Sequence, residues 1–182
     1  MKKLKIAFVI ERLGTLEICT IPLLAALAKK DCHIVRLFEF SPNPKRACES
    51  IISYNPDIIC YSICSNEASR YLKINQILKR KVSFFSLFGG PHPTYFPDFI
   101  KEEGVDAICR GEGDTCFPEF LKYFGEDAMY TISNFYFKRN SGEIISNSLT
   151  SLVSNLDDLP FPDRDIIYAG SYFMANSPVK TF

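Results

Sequence analysis

Ser83-Phe84-Phe85-Ser86-Leu87-Phe88-Gly89-Gly90-Pro91-His92-Pro93-Thr94 is the stretch on which the fold turns. Residues 83–88 make a short, aromatic-rich run that hardly alternates, the pattern of a strand covered on both faces. Two glycines break it, and a proline-flanked turn leads to a helix expected over residues 94–103, closed by Gly104 in a left-handed conformation. The same unit recurs in both directions. Comparable apolar runs occupy residues 4–10, 33–40, 57–63 and 105–109.

Helical segments separate these runs. Residues 15–30 place Leu16, Leu23, Leu24 and Leu27 at helical spacing, with Pro22 tolerable only in the first turn or at a kink. Asn43 and Pro44 are a cap and first residue for a helix reaching about Tyr54, and Ser65 or Asn66 is expected to cap another ending near Arg80. A last helix fits residues 115–124, closed by Gly125. Strict alternation of strand and helix implies an α/β, flavodoxin-like (Rossmann-like) doubly wound, five-stranded parallel sheet.

After Gly125 the pattern changes. Residues 130–132 and 135–137 alternate toward the turn Asn140-Ser141-Gly142, and residues 143–145 are a returning strand, which together predict a β-hairpin. Beyond Asn147 the chain turns polar and then proline-containing, and Pro160 and Pro162 force extended backbone, so this part is a tether or a lid. The expected division is a ligand-binding domain over 1–127, a hairpin extension over 128–146 and a linker over 147–182.

Composition narrows the function. At 182 residues with 47% apolar content, folding hides roughly 70% of the extended chain's surface without a metal or disulfide staple. Lys plus Arg and Asp plus Glu are equal at 21 each, which gives no sequence-wide attraction to nucleic acid or an anionic membrane. Seven cysteines, most inside apolar runs, fit a reducing cytoplasm. Glu11 and Arg12 cut the first apolar run too short for a signal peptide, and no run approaches the ~20 residues of a membrane span.

Ligands of an open parallel sheet lie beyond the carboxyl ends of its strands. Four loops therefore matter: Glu11-Arg12-Leu13-Gly14-Thr15, Ser62-Ile63-Cys64-Ser65-Asn66, Gly89 to Thr94, and Arg110-Gly111-Glu112-Gly113-Asp114-Thr115. A phosphoryl-accepting receiver would need an aspartate where Tyr61-Ser62 stands, and FMN would need a hydroxyl-rich loop where a lone Thr15 stands. The last loop approaches a dinucleotide motif, but Cys116 replaces the third glycine and two carboxylates would face the pyrophosphate. Cys60 and Cys64 lack a third thiolate at Glu67 and read as structural. His33, at the amino edge, is structural too. His92 sits at the carboxyl edge, where it either caps the next helix or meets a metal-centred cofactor as ligand or hydrogen-bond donor.

The strand ending Ser62-x-Cys64, the strand ending Gly89-Gly90-Pro91-His92-Pro93-Thr94 and the run from Val105 through Arg110-Gly111-Glu112-Gly113-Asp114 resemble the N-terminal cobalamin (B12)-binding domain of B12-dependent radical SAM proteins. Leu156-Asp157-Asp158-Leu159-Pro160-Phe161-Pro162-Asp163-Arg164 looks like the linker by which such proteins enter their radical SAM barrel. Cobalamin domains carry Asp-x-His-x-x-Gly after the first strand, Ser-x-Leu or a relative after the third, and Gly-Gly after the fourth. The second and third are present as Ser62-Ile63-Cys64 and Gly89-Gly90, with 24 positions (residues 65–88) between them, and the first, which supplies a histidine to cobalt, is missing.

The resemblance implies a cobalamin cofactor held base-off and without that histidine, its nucleotide tail inserted between strand ends where Gly89 and Gly90 leave room and Ser62 offers a hydroxyl. The lower face would be empty, watered, or met by Arg12 or His92. The implied cofactor contacts are Glu11, Arg12, Leu13, Gly14, Ser62, Ile63, Cys64, Gly89, Gly90, Pro91, His92, Gly111, Glu112 and Gly113, with no catalytic residue and no protein-held metal. In the full-length parent the resemblance implies a barrel in cis carrying a [4Fe-4S] cluster on Cys-x-x-x-Cys-x-x-Cys, S-adenosylmethionine, and methyltransferase chemistry. This chain has no such cysteine triplet and stops about where that barrel would begin, so it is expected to be inactive alone. The alternative is a scaffold or docking domain of the same fold without cofactor.

Overall fold

Branched and aromatic side chains suit a pleated, covered surface, and they dominate the runs that become strands. The computed structural model describes residues 2–12 and 20–170. In it β1 (Lys5–Ile10), β2 (Ile34–Glu39), β3 (Ile58–Ser62), β4 (Phe85–Gly89) and β5 (Ala107–Cys109) are parallel, while β6 (Phe135–Lys138) and β7 (Ile144–Ser146) run antiparallel. The seven strands form one sheet in the order β2-β1-β3-β4-β5-β6-β7. The hairpin is thus no separate appendage: β6 pairs with β5 through Ala107↔Phe137 and Cys109↔Phe135 and extends the sheet.

The helices are α1 (Thr20–Lys30), α2 (Pro44–Tyr54), α3 (Ala68–Lys79), α4 (Pro91–Tyr95), α5 (Cys116–Lys122) and α6 (Asp165–Gly170). Ile21 and Ala25 of α1, Phe117 and Phe120 of α5, and Ile166 and Ile167 of α6 pack on one face with Ile6, Phe8, Cys60 and Leu87. Ile51 and Tyr54 of α2, with Tyr71, Ile74 and Leu78 of α3, cover the other face against Val9, Ile59, Tyr61 and Phe88. Each fully buried large apolar side chain contributes about 1.5–3 kcal/mol, and the Tyr61–Phe88 stack at 4.4 Å adds to the second layer. β2, at the edge, alternates exposed and buried as a strand covered on one face must.

Several boundaries follow the local chemistry that the sequence suggests. Asn43 Oδ1 accepts the Arg46 N–H at 3.1 Å and Pro44 opens α2. Gly104 and Gly125 take φ of +83° and +87° where their helical segments close. Pro22 falls in the first turn of α1, while the expected earlier part of that helix lies outside the described residues.

Other expectations are corrected. The helix expected over 94–103 starts instead at Pro91 as the five-residue α4, breaks at Phe96, and resumes as a 3-10 turn over Pro97–Lys101. Pro97 is the cause, since it excludes Phe96 from helical ψ. Neither Ser65 nor Asn66 caps α3; that place falls to Glu67, whose carboxylate accepts the Cys64 N–H at 3.3 Å. Residues 130–132 are not a strand, because Asp127–Thr131 coils into a 3-10 turn and Asn134, at φ +69°, kinks the chain before β6. The proline-containing segment does not simply lead away: the Asp163 N–H donates to the Pro22 carbonyl at 3.0 Å, and Ile166 and Ile167 are buried.

Candidate functional site

A side chain two residues along a strand returns to the same face. Cys60 and Ser62 on β3, and Leu87 and Gly89 on β4, therefore look toward α1 and α5, and Ser62 stands directly opposite Gly89 in the sheet register. Beyond them the carboxyl edge opens into a cleft of about 500 Å³, counting its mouth. Its floor is Phe8, Cys60, Leu87 and Phe117, α1 supplies Thr20, Ile21 and Leu24, and the rim is Ser62, Gly89, Gly90, Gly111 and Gly113. No charged side chain lines it among the described residues. Burial alone pushes the Cys60 thiol far above its ordinary value, so that floor stays neutral.

The two adjacent glycines serve different ends. Gly90 has φ +92°, and a Cβ there would lie 2.8 Å from the Ile63 nitrogen and 2.9 Å from its carbonyl oxygen. The backbone itself demands glycine. A Cβ on Gly89 would meet only the Tyr61 and Cys109 carbonyl oxygens, at 3.8 and 4.0 Å, which is ordinary contact. The protein has room for a side chain at Gly89, and that room is the cleft. A neutral, narrow, glycine-rimmed opening over an apolar floor suits a flat heteroaromatic tail and does not suit a bare phosphate.

Of the fourteen expected contact residues, Ser62, Gly89, Gly90, Gly111 and Gly113 meet around the cleft. Leu13 and Gly14 lie outside the described residues. The Glu11 carboxylate is paired with Arg70 at 2.7 Å and Arg12 is exposed. Ile63 is fully buried and acts through its backbone, its N–H donating to the Gly89 carbonyl and its carbonyl accepting the His92 N–H. Cys64, Pro91 and Glu112 are exposed around the same edge.

His92 is no cap: it lies inside α4, its Nδ1 3.0 Å from Ser65 Oγ and its ring against Phe96 and Phe99. Partial burial pushes its pKa below the ordinary value. His33 is structural, its Nδ1 accepting the Leu4 N–H at 3.1 Å. The apolar floor was missing from the expected contact set. Its signal is present in the sequence as the two-residue spacing of Cys60 from Ser62 and of Leu87 from Gly89.

A doubly wound sheet with an apolar, glycine-rimmed cleft between its carboxyl edge and two helices has the architecture of a cofactor-binding domain. The chain belongs to the B12 binding domain family, whose sequence profile matches residues 7–121. An uncharacterised methyltransferase of Pyrococcus horikoshii is 26% identical over 126 residues, which cover 67% of this chain and 27% of that protein. The chain thus spans about a quarter of that relative's length. The fold is shared with the cobalamin-dependent S-adenosylmethionine radical enzyme OxsB, solved with aqua-cobalamin bound, at a TM-score of 0.74 and 19% identity over 92% of this chain and 25% of OxsB. It is also shared with TsrM from Kitasatospora setae, a radical S-adenosylmethionine methyltransferase solved with cobalamin and a [4Fe-4S] cluster, at a TM-score of 0.70 and 12% identity over 88% of this chain and 31% of TsrM.

Proposed function

We propose that this chain is the cobalamin-holding part of a B12-dependent radical SAM enzyme of the methyltransferase kind, with the corrin base-off above the carboxyl edge and its nucleotide tail in the cleft. The observation that carries this is the space at Gly89, which the protein's own packing leaves open. Gly89 and Gly113 admit the tail, Ser62 offers it a hydroxyl, and Phe8, Leu24 and Phe117 remove water from its flat faces. When bound, cobalamin supplies a cobalt centre able to carry a methyl group.

No histidine occurs between Glu11 and Thr20, so the first loop offers cobalt no imidazole, and the corrin is held without one. The lower face would then be empty, watered, or met by Arg12 or His92. Residues 1–127 hold the cofactor, 128–146 finish the sheet, and 147–182 carry the chain toward a barrel in cis, where the [4Fe-4S] cluster, S-adenosylmethionine and the substrate belong. Matches spanning a quarter to a third of each longer relative support that arrangement.

The missing histidine favours a second reading, a scaffold of the same fold that takes no cofactor. Incubation with hydroxocobalamin, desalting and visible absorption separate the two. A retained corrin band at near-unit stoichiometry is expected, and a colourless protein would overturn the proposal in favour of the scaffold.

A further inference from the structure

Cys109 ends β5 and Cys116 begins α5, so the two bracket the 110–115 loop whose Gly111 and Gly113 form the cleft's rim. Their sulfurs are 3.6 Å apart and both residues are buried. Cys109 also lines the cleft, which gives the pair a route to water. Behind them the buried Asn134 donates its amide to the Glu112 carbonyl at 3.0 Å and approaches Cys116 Sγ at 3.8 Å, while its Oδ1 accepts the Thr150 N–H at 2.7 Å. The contact with Cys116 and burial both raise the Cys109 pKa. The same contact, helped by Asn134, lowers Cys116 against the opposing effect of burial. These directions make Cys116 the attacking sulfur of the pair.

We propose that Cys109 and Cys116 are an oxidative modification site, a dithiol that peroxide converts to a disulfide, resetting the 110–115 loop at the rim of the cleft. The Cys116 thiolate attacks one oxygen of hydrogen peroxide; the O–O bond breaks, and sulfenic acid and hydroxide form, the hydroxide taking up the thiol's released proton as water. The Cys109 sulfur then attacks the sulfenic sulfur, the S–S bond forms, the S–O bond breaks, and a second water leaves with the Cys109 proton. Two thiols are oxidised and one peroxide is reduced to two waters. Drawing the sulfurs from 3.6 Å to the ~2.05 Å of a disulfide moves the strand end or the helix start, and with them the glycine rim.

Disulfide formation stands apart from the cobalamin reading, while its effect on the cofactor rests on that reading, so each has its own readout. Trypsin cuts after Lys101, Arg110 and Lys122, which places Cys109 and Cys116 on different peptides. After limited peroxide, catalase and blocking of free thiols in denaturant, peptides 102–110 and 111–122 are expected as a linked pair that dithiothreitol separates. The pair should appear before oxidation of the exposed Cys32 and Cys64 is complete, and Cys116→Ser should abolish it. Free Cys109 and Cys116 beside oxidised Cys32 and Cys64, or a link from Cys109 to Cys60, would overturn the site. In parallel, oxidised wild type is expected to bind aqua-cobalamin about tenfold more weakly than reduced protein, and peroxide-treated Cys116→Ser to show no such loss. Equal affinity of the oxidised and reduced forms overturns the coupling to the cleft. Absence of corrin binding by reduced protein overturns the cobalamin reading and leaves the disulfide result standing.

Discussion

Gly89 and Gly90 are neighbours with opposite sensitivities. A Cβ at Gly90 collides with Ile63 backbone at 2.8 Å in a left-handed conformation, so Gly90→Ala is expected to cost more than about 1 kcal/mol and lower the melting temperature by several degrees. Gly89→Val should melt near the wild type yet retain at least about tenfold less cobalamin after desalting, because its side chain fills the cleft instead of striking the fold. Equal corrin retention by Gly89→Val would remove the cleft from the binding site. A different residue sets the response to acid. Burial lowers the His33 pKa, opposed by the Asp31 carboxylate, while the unfolded chain protonates near the ordinary value of about 6.5. The unfolded state therefore binds more protons, and the His33 contribution is complete above about pH 6.5 and lost as pH falls below it. Its Nδ1 is engaged by the Leu4 N–H and its Nε2 is buried with no partner among the described residues. Urea unfolding between pH 5 and 7.5 should show this decline, and His33→Asn, which keeps an acceptor for Leu4, should flatten it, with His92 contributing in the same direction.

At the scale of elements, the 110–115 loop is held from behind by Asn134, which joins it to the irregular segment that follows β7. Asn134→Gly keeps the left-handed backbone but removes the amide that bonds Glu112 and Thr150, so about 1–3 kcal/mol of stability and part of the corrin affinity should be lost. Asn134→Ala should melt lower still, since it adds strain at φ +69°. Thermal melts of both variants beside a cobalamin titration check this. Element identity was legible wherever the deciding chemistry is local: Asn43-Pro44 opens α2, and Gly104 turns where expected. It failed where a proline works one residue upstream of itself, as Pro97 does on Phe96. It failed again at residues 130–132, where apolar alternation serves a 3-10 turn that packs Met129 and Ile132 into the core.

For the whole molecule, ligand that binds only the folded state stabilises it by mass action, about 2.7 kcal/mol at a hundredfold excess over Kd. Hydroxocobalamin should therefore raise the melting temperature of wild type by several degrees and leave Gly89→Val unmoved, a difference that scanning fluorimetry or calorimetry reads. The glycine pair, Ser62 and the Gly111-Glu112-Gly113 loop were all visible as residues at strand ends, because a parallel sheet brings every carboxyl end to one edge whatever its loops contain. The sequence by itself determined the doubly wound class, the five parallel strands and the edge at which a ligand must sit, since those depend on periodicity and on glycine and proline, which act within a few residues. The tertiary structure alone decided that the hairpin completes the sheet on β5, that α6 returns to bury Ile166 and Ile167, and that Phe8, Leu24, Cys60 and Phe117 make a cleft. Those contacts join residues far apart in the chain, and no local pattern records which distant side chains share a space.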